Sequence, residues 1–239
     1  MDNKSLSQLN QRFSTQAQWT KEFRDFIFRK FPMDKHVSVL EVGCGTGAVM
    51  RKIREENKNR KIILYGVDID QQALKYANKK SKYLLIAGNG ERLPFRDNFF
   101  DLVYCHYFLL WVKDPAKILQ EMHRVLKRNG YCAVIAEPNY TEMQAKPESL
   151  WNLAEKQRKI LCEAGADISI GQKSAIFFDQ AGFTSIETGQ YENYQKGFSY
   201  LKQEINQMLV DTETKKFVID PNTEYYYNVP TYFVFGRKG

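Results

Sequence analysis

VLEVGCGTGAV, residues 39–49, decides the reading of this chain. An apolar, partly β-branched run passes directly into a glycine-rich turn and then into a helical pattern. Glycines 43, 45 and 47 permit positive φ and let a ligand approach the backbone closely. Gly43-x-Gly45-x-x-Ala48 also satisfies the dinucleotide fingerprint, in which a pyrophosphate sits on a helix N-terminus. The turn alone therefore leaves the ligand open. Glu41 bears on the choice. Facing a pyrophosphate, its carboxylate would repel by several kcal/mol at an effective dielectric of about 20. Facing an ammonium, it would attract.

Outward from the turn, short apolar runs alternate with amphipathic helical ones. VSVLEV (37–42) is followed by Ala48–Glu56, KIILYGV (61–67) by Gln71–Lys80, and YLLIA (83–87) comes next. DLVYCH (101–106), Pro115–Leu126 and YCAVIAE (131–137) continue the series. Such alternation predicts βαβ units on a parallel sheet with helices on both faces. Asp114 is placed to cap a helix with Pro115 at its first position, and Asn129-Gly130 to end it. Asp68 ends the second strand 21 residues after Gly47, where an acid accepts hydrogen bonds from ribose hydroxyls. Asp70 reads as the cap of the helix that follows. Before the glycine turn, Phe13 to Phe31 carries apolar residues at helical spacing, a capping helix stopped by Pro32. Beyond Glu137 the pattern predicts helices over Pro147–Ala164, Gln172–Ala181 and Phe198–Val210, a strand near Ser185–Tyr191, and a last strand TYFVFGRK (231–238). The organisation expected is a helical cap over residues 1–36 and one main domain over 37–239, with insertions at about 141–170 and 195–229.

With 239 residues, 43% hydrophobic and 26% charged, the chain has material for one compact core. No stretch approaches the roughly 18 apolar residues of a membrane span, and the polar N-terminus lacks a secretory pattern, so a cytoplasmic protein is expected. Cys44, Cys105, Cys132 and Cys162 form no CxxC pair, so no metal site is expected. The formal charge of +7 raises a nucleic-acid reading. Its sources are two clusters, Arg51, Lys52, Arg54, Lys58, Arg60 and Lys61, then Lys75, Lys79, Lys80 and Lys82. Both lie on helices running away from the turn, as a solvated face would, so nucleic acid is not the expected partner.

VLEVGCGTG, GVDID, GNGERLPFRDNFFDLVY, LLWVKD and EMHRVLKRNGYCAVIAEP occur in the order of the motifs of class I S-adenosylmethionine-dependent methyltransferases. The chain resembles that family over about residues 37–138, particularly the small-molecule group of ubiquinone and menaquinone biosynthesis, with a weaker echo in IGQKSAIFFDQAGF (170–183). The resemblance implies an α/β, Rossmann-like, seven-stranded, mostly parallel sheet whose last strand inserts antiparallel. It implies S-adenosylmethionine as cofactor and S-adenosylhomocysteine as product. Glu41, Gly43, Cys44, Gly45 and Gly47 would line the methionine part, and Asp68 with Ile69 the ribose and adenine. Asn89 stands where the family usually has Asp; its side-chain oxygen can still accept from the adenine amino group. Gly90 and Glu91 would bring a backbone N–H near the adenine.

Methyl transfer is an in-line displacement, so alignment supplies much of the acceleration and a base is needed only if the acceptor must lose a proton. His106, at the end of the fourth strand, is the candidate for that role and for a place beside the methyl group. Phe13, Trp19, Tyr140, Trp151, Tyr194 and Tyr225 to Tyr227, lying outside the motifs, suggest an apolar or aromatic acceptor pocket. The leading expectation is a methyltransferase acting on a small molecule at O, N or C. Two alternatives are an RNA or protein methyltransferase and a non-catalytic S-adenosylmethionine-binding protein.

Overall fold

A computed structural model describes residues 3–31, 36–80, 83–191 and 197–239, with only the backbone of residues 3–5, 80 and 197–199. Pro32, Lys82 and Tyr194 lie outside the described residues. Two helices, α1 (Asn3–Trp19) and α2 (Lys21–Arg29), precede the first strand, where the sequence pattern suggested one. The break falls at Thr20, whose hydroxyl turns back toward the Ala17 carbonyl at 3.3 Å. The alternating series then unfolds as β1 (Val37–Val42), α3 (Ala48–Glu56), β2 (Ile62–Asp68), α4 (Gln71–Lys80), β3 (Leu84–Ala87), β4 (Phe100–Cys105), α5 (Pro115–Val125) and β5 (Leu126–Pro138). The C-terminal part adds β6 (Gln144–Lys146), α6 (Glu148–Glu163), α7 (Ile170–Gln180), β7 (Phe183–Tyr191), α8 (Gly197–Asp211), β8 (Tyr226–Asn228) and β9 (Thr231–Lys238).

The main sheet has seven strands in the order β3-β2-β1-β4-β5-β9-β7. Only β9 runs antiparallel, inserted between β5 and β7. This is the sheet the resemblance implied. Strand alternation sends Leu40, Val42, Val103 and Cys105 into one core with α5 and α7. The same alternation sends Val37, Val39, Leu102 and Tyr104 into a second core with α2 and α3. Between β1 and β4 the strand order departs in opposite directions, and at such a switch point the carboxyl ends of the strands leave a crevice. Asp114 and Asp70 cap their helices as expected, accepting from Lys117 N at 3.0 Å and from Gln72 N at 2.8 Å. Asn129-Gly130 does not end α5. The helix stops at Val125 because Leu126 turns extended to pair with Phe100. Residues 127–130 then bulge before Tyr131 pairs with Leu102, and Asn129 takes φ +64° within that bulge. A separate cluster, including Leu150, Leu153, Ile205, Met208 and Tyr227, joins α6, α8 and β8 above the carboxyl edge of the sheet.

Arg24 ties α2 to the main body. It is 1% exposed, and its guanidinium makes a fork on Glu56 at the end of α3, with N–O distances of 3.0 and 2.6 Å. The same side chain donates to Thr20 Oγ1 at 2.7 Å. Removing one partner of a buried pair leaves a charge without compensation. Glu56→Ala should therefore lower unfolding free energy by about 3–5 kcal/mol. Urea denaturation checks this, and a loss below about 1 kcal/mol would mean the pair does not anchor the helix.

Candidate functional site

A cavity of about 640 Å³ opens at the carboxyl edge of β1, β2 and β4. Its wall includes Glu41, Gly43, Cys44, Gly45, Asp68, Ile69, Asn89, Gly90, Glu91 and His106, so the structure brings together ten of the positions singled out in the sequence. Gly47 is set apart. It adopts φ +69° as the residue before α3, and a Cβ there would stand 3.3 Å from Ala77 Cβ, so its smallness serves the packing of α3 on α4. Gly43 and Gly45 do face the cavity, at φ +74° and +47°. A Cβ on Gly45 would lie 3.3 Å from the Phe13 ring, which shows how closely α1 covers the turn.

Asp68 holds the turn in shape. One carboxylate oxygen accepts from Gly45 N at 2.7 Å, the other from Asp70 N at 2.8 Å, so a single side chain clasps the loops after β1 and β2. Carboxylate oxygens accept more than one bond, which leaves acceptor capacity toward the cavity. Burial raises the pKa of Asp68, opposed by these backbone donors. Asn89 makes a similar local turn, its side-chain oxygen accepting from Glu91 N at 2.9 Å. Glu41 is paired in register with Tyr104 on β4, which puts both side chains on one face, and the Tyr104 phenol donates to the Glu41 carboxyl at 2.9 Å. Burial lifts Glu41 to about 8, and the nearby Asp68 charge acts in the same sense. A cationic ligand group at this position would reverse that and draw Glu41 into its ionised form.

His106 lines the cavity but is poorly suited to accept a proton. Burial and the Arg24 charge lower its pKa to about 3, and Nε2 lies 3.2 Å from Thr20 Oγ1. An uncharged imidazole held by α1 and α2 positions the wall instead. Glu137, which sequence patterning passed over, organises the opposite side. Fully buried at the end of β5, it accepts from Phe108 N and Leu109 N at 2.8 Å each and from Leu110 N at 3.3 Å. Burial raises it to about 7 against those donors. The only signal was an acid closing an otherwise apolar strand. Its clamp holds Phe108 over the turn, close enough that any Cβ on Gly43 would collide with the ring.

A second cavity of about 580 Å³ adjoins the first, and both share Gln16 and Tyr107. Of the aromatics expected to form an acceptor pocket, Trp19, Tyr140 and Tyr227 line this one, while Phe13 lines the first. Trp151 lines neither and is 40% exposed on α6. Among the described residues no group of His, Cys, Asp and Glu suits a metal ion, and no helix is long and apolar enough to cross a membrane.

Residues 40–134 match the methyltransferase domain family. Demethylmenaquinone methyltransferase of Geobacillus stearothermophilus is 33% identical over 138 residues, 53% of this chain and 55% of the relative. The sterol 4-C-methyltransferase strm-1 of Caenorhabditis elegans is 29% identical over 117 residues, 46% of this chain and 34% of that protein. The aligned part spans about half the length of the bacterial relative. In fold, the chain is similar to phosphoethanolamine N-methyltransferase 2 of Haemonchus contortus, solved with S-adenosylmethionine, at TM-score 0.62 and 17% identity, covering 91% of this chain and 52% of that one. The cyclase SpnF is similar at TM-score 0.63 and 18% identity, covering 91% and 80%. Residues 40–134, running from β1 into β5, are thus similar to a methyltransferase domain. Over about half its length the chain is similar to demethylmenaquinone methyltransferases.

The raised Glu41 has a signed consequence. Its neutral form is favoured by the fold, so its contribution to stability is complete below the ordinary carboxylate range and is lost as pH rises through about 8. Glu137 acts in the same direction, so the comparison must be with a variant. Glu41→Gln should flatten the fall in urea midpoint of the ligand-free protein between roughly pH 5 and 8. Parallel curves for the two proteins would contradict this environment for Glu41.

Proposed function

We propose that the chain binds S-adenosylmethionine in the larger cavity and transfers its methyl group to a small molecule in the second cavity, releasing S-adenosylhomocysteine. The observation that carries this reading is Glu41, a buried carboxyl facing the cavity beside the glycine turn, whose direct partner is the Tyr104 phenol. It offers a negative group to an ammonium and would repel a phosphate. Gly43 and Gly45 leave room for a ligand against the backbone, and the spare acceptor capacity of Asp68 suits vicinal hydroxyls. Asn89 and the backbone at Gly90 and Glu91 suit the edge of an adenine. The bound cofactor supplies an electrophilic methyl group on a sulfonium. Gln16 and Tyr107, on the boundary between the cavities, are placed to align the acceptor. Tyr107 holds φ +50°, a strained backbone that aims its ring into this boundary.

In this reading residues 1–36 and the insertions at about 141–170 and 195–229 cap the site. His106 orients the wall between the cap and the cofactor. Free thiols at Cys44, Cys105, Cys132 and Cys162 suit a cytoplasmic location. The basic clusters support an RNA partner poorly. Lys75 and Lys79 point to solvent on α4, and Arg51 is spent on the Thr46 carbonyl at 2.7 Å and on Asn10 of α1.

Calorimetry with S-adenosylmethionine tests the cofactor site. Asp68→Ala should cost about 1.5–3 kcal/mol of binding, roughly ten- to a hundredfold in affinity. Unchanged affinity in that variant would remove the ribose assignment. In the wild type, affinity should vary little with salt, and a steep salt-dependent affinity for mixed RNA would favour the nucleic-acid reading instead.

A further inference from the structure

We infer that the second cavity selects an amine as the methyl acceptor, the nitrogen being seated in an aromatic box beside the Glu204 carboxylate. The inference rests on the methyl-transfer reading above and specifies its substrate class. The box is assembled from five distant segments: Trp19 on α1, Tyr107 after β4, Tyr140 after β5, Tyr200 on α8 and Tyr227 on β8. Trp19 and Tyr200 meet edge to face with ring centroids 5.0 Å apart. Aromatic faces of this kind attract cations, and Trp does so best.

The charges in the wall favour a cation as well. Among the described lining residues, two acids, Glu204 and Asp211, stand against one base, Arg12. Arg12 is engaged by Asp211 at 3.4 Å. Asp211 also accepts from Gln157 at 2.6 Å and Gln207 at 2.7 Å, so its charge is spread over three donors. Glu204 is the acid that acts on the aromatic wall. Glu204 lines the same cavity as Tyr107, Tyr140, Tyr200 and Tyr227, and after burial its negative charge is a further cause of their raised pKa. Tyr227 adds an independent sign of a missing ligand. It is 3% exposed, lines the cavity, and its hydroxyl has no hydrogen-bond partner among the described residues. A buried phenol in that state costs free energy until something polar meets it.

The reaction balances without a further reagent. An amine that arrives as its ammonium first gives its proton to solvent; the freed nitrogen lone pair then forms the N–C bond, the C–S bond breaks with its electron pair remaining on sulfur, and the positive charge passes from sulfur to nitrogen. Aromatic faces and Glu204 therefore meet a charge that develops during the step, the kind of interaction that accelerates it. A tertiary amine gives a quaternary product directly, and a primary or secondary amine gives an ammonium that loses its proton to solvent afterwards. In both courses solvent, rather than His106, takes the proton that the amine loses before attack.

The test uses the full chain saturated with S-adenosylhomocysteine, titrated with choline and with its uncharged isostere 3,3-dimethylbutan-1-ol. Choline should bind at least about tenfold more tightly. Glu204→Gln and Trp19→Ala should each shrink that ratio below about threefold while leaving S-adenosylmethionine affinity within about twofold. Equal binding of the two probes, binding of neither, or a ratio untouched by both variants overturns the inference. With methyl-labelled cofactor, label should pass to dimethylaminoethanol rather than to a naphthohydroquinone. Label entering the hydroquinone alone overturns the amine assignment and leaves methyl transfer standing. Failure of the wild type to bind S-adenosylmethionine would instead overturn the reading beneath it.

Discussion

The carboxylate of Asp68 is the contact on which the site depends. By accepting from Gly45 N and Asp70 N it joins the turn after β1 to the turn after β2, a junction that Gly43 N and Cys44 N reinforce by donating to the Val67 carbonyl. That anchor sets the position of the backbone at Gly43 and Gly45 and the edge along which Ile69 is exposed. It also explains why Gly47, although part of the same motif, faces elsewhere: once the turn is pinned at Gly45, the next residues must begin α3 and pack it against α4.

Around this clasp the site is built from buried acids with different tasks. Glu41 faces the crevice with a phenol for a partner, whereas Glu137 is spent on three backbone donors that shape the Phe108–Leu110 corner. Both are raised by burial, yet only Glu41 is placed to exchange its proton for a ligand's positive charge. Arg24, Thr20 and His106 form a continuous polar link from α2 to the cavity wall, so the N-terminal helices are joined to the site by side chains as well as by the Phe13 cover.

Much of this was legible because it is local. Strand, glycine turn and helix follow one another within residues 37–56, and the caps at Asp70 and Asp114 sit beside the helices they begin. What escaped was set by long-range pairing. Asn129-Gly130 resembles a helix stop, but the pairing of Leu126 with Phe100 ends α5 earlier and turns those residues into a bulge. The lowered pKa of His106 comes first from burial under the N-terminal helices and then from Arg24, eighty-two residues away (106 − 24) and on another element. Glu137 lies within the motif EMHRVLKRNGYCAVIAEP, but its three donors, Phe108 N to Leu110 N, are brought to it only by the pairing of β4 with β5. The second cavity is the extreme case. Its walls come from residues between Gln8 and Thr231; Trp19, Tyr140 and Tyr227 were expected of an acceptor pocket, but no spacing along the chain announces that Gln16, Tyr200 and Glu204 join them.

In the proposed function Glu41 is neutral in the empty protein and ionised opposite the ammonium of the cofactor. Calorimetry of S-adenosylmethionine binding at pH 7 in buffers of different ionisation enthalpy measures that change directly. The account predicts release of nearly one proton by the wild type, because the carboxyl starts near pKa 8, and a release close to zero by Glu41→Gln. Equal proton release in the two proteins, or none in the wild type, would contradict it.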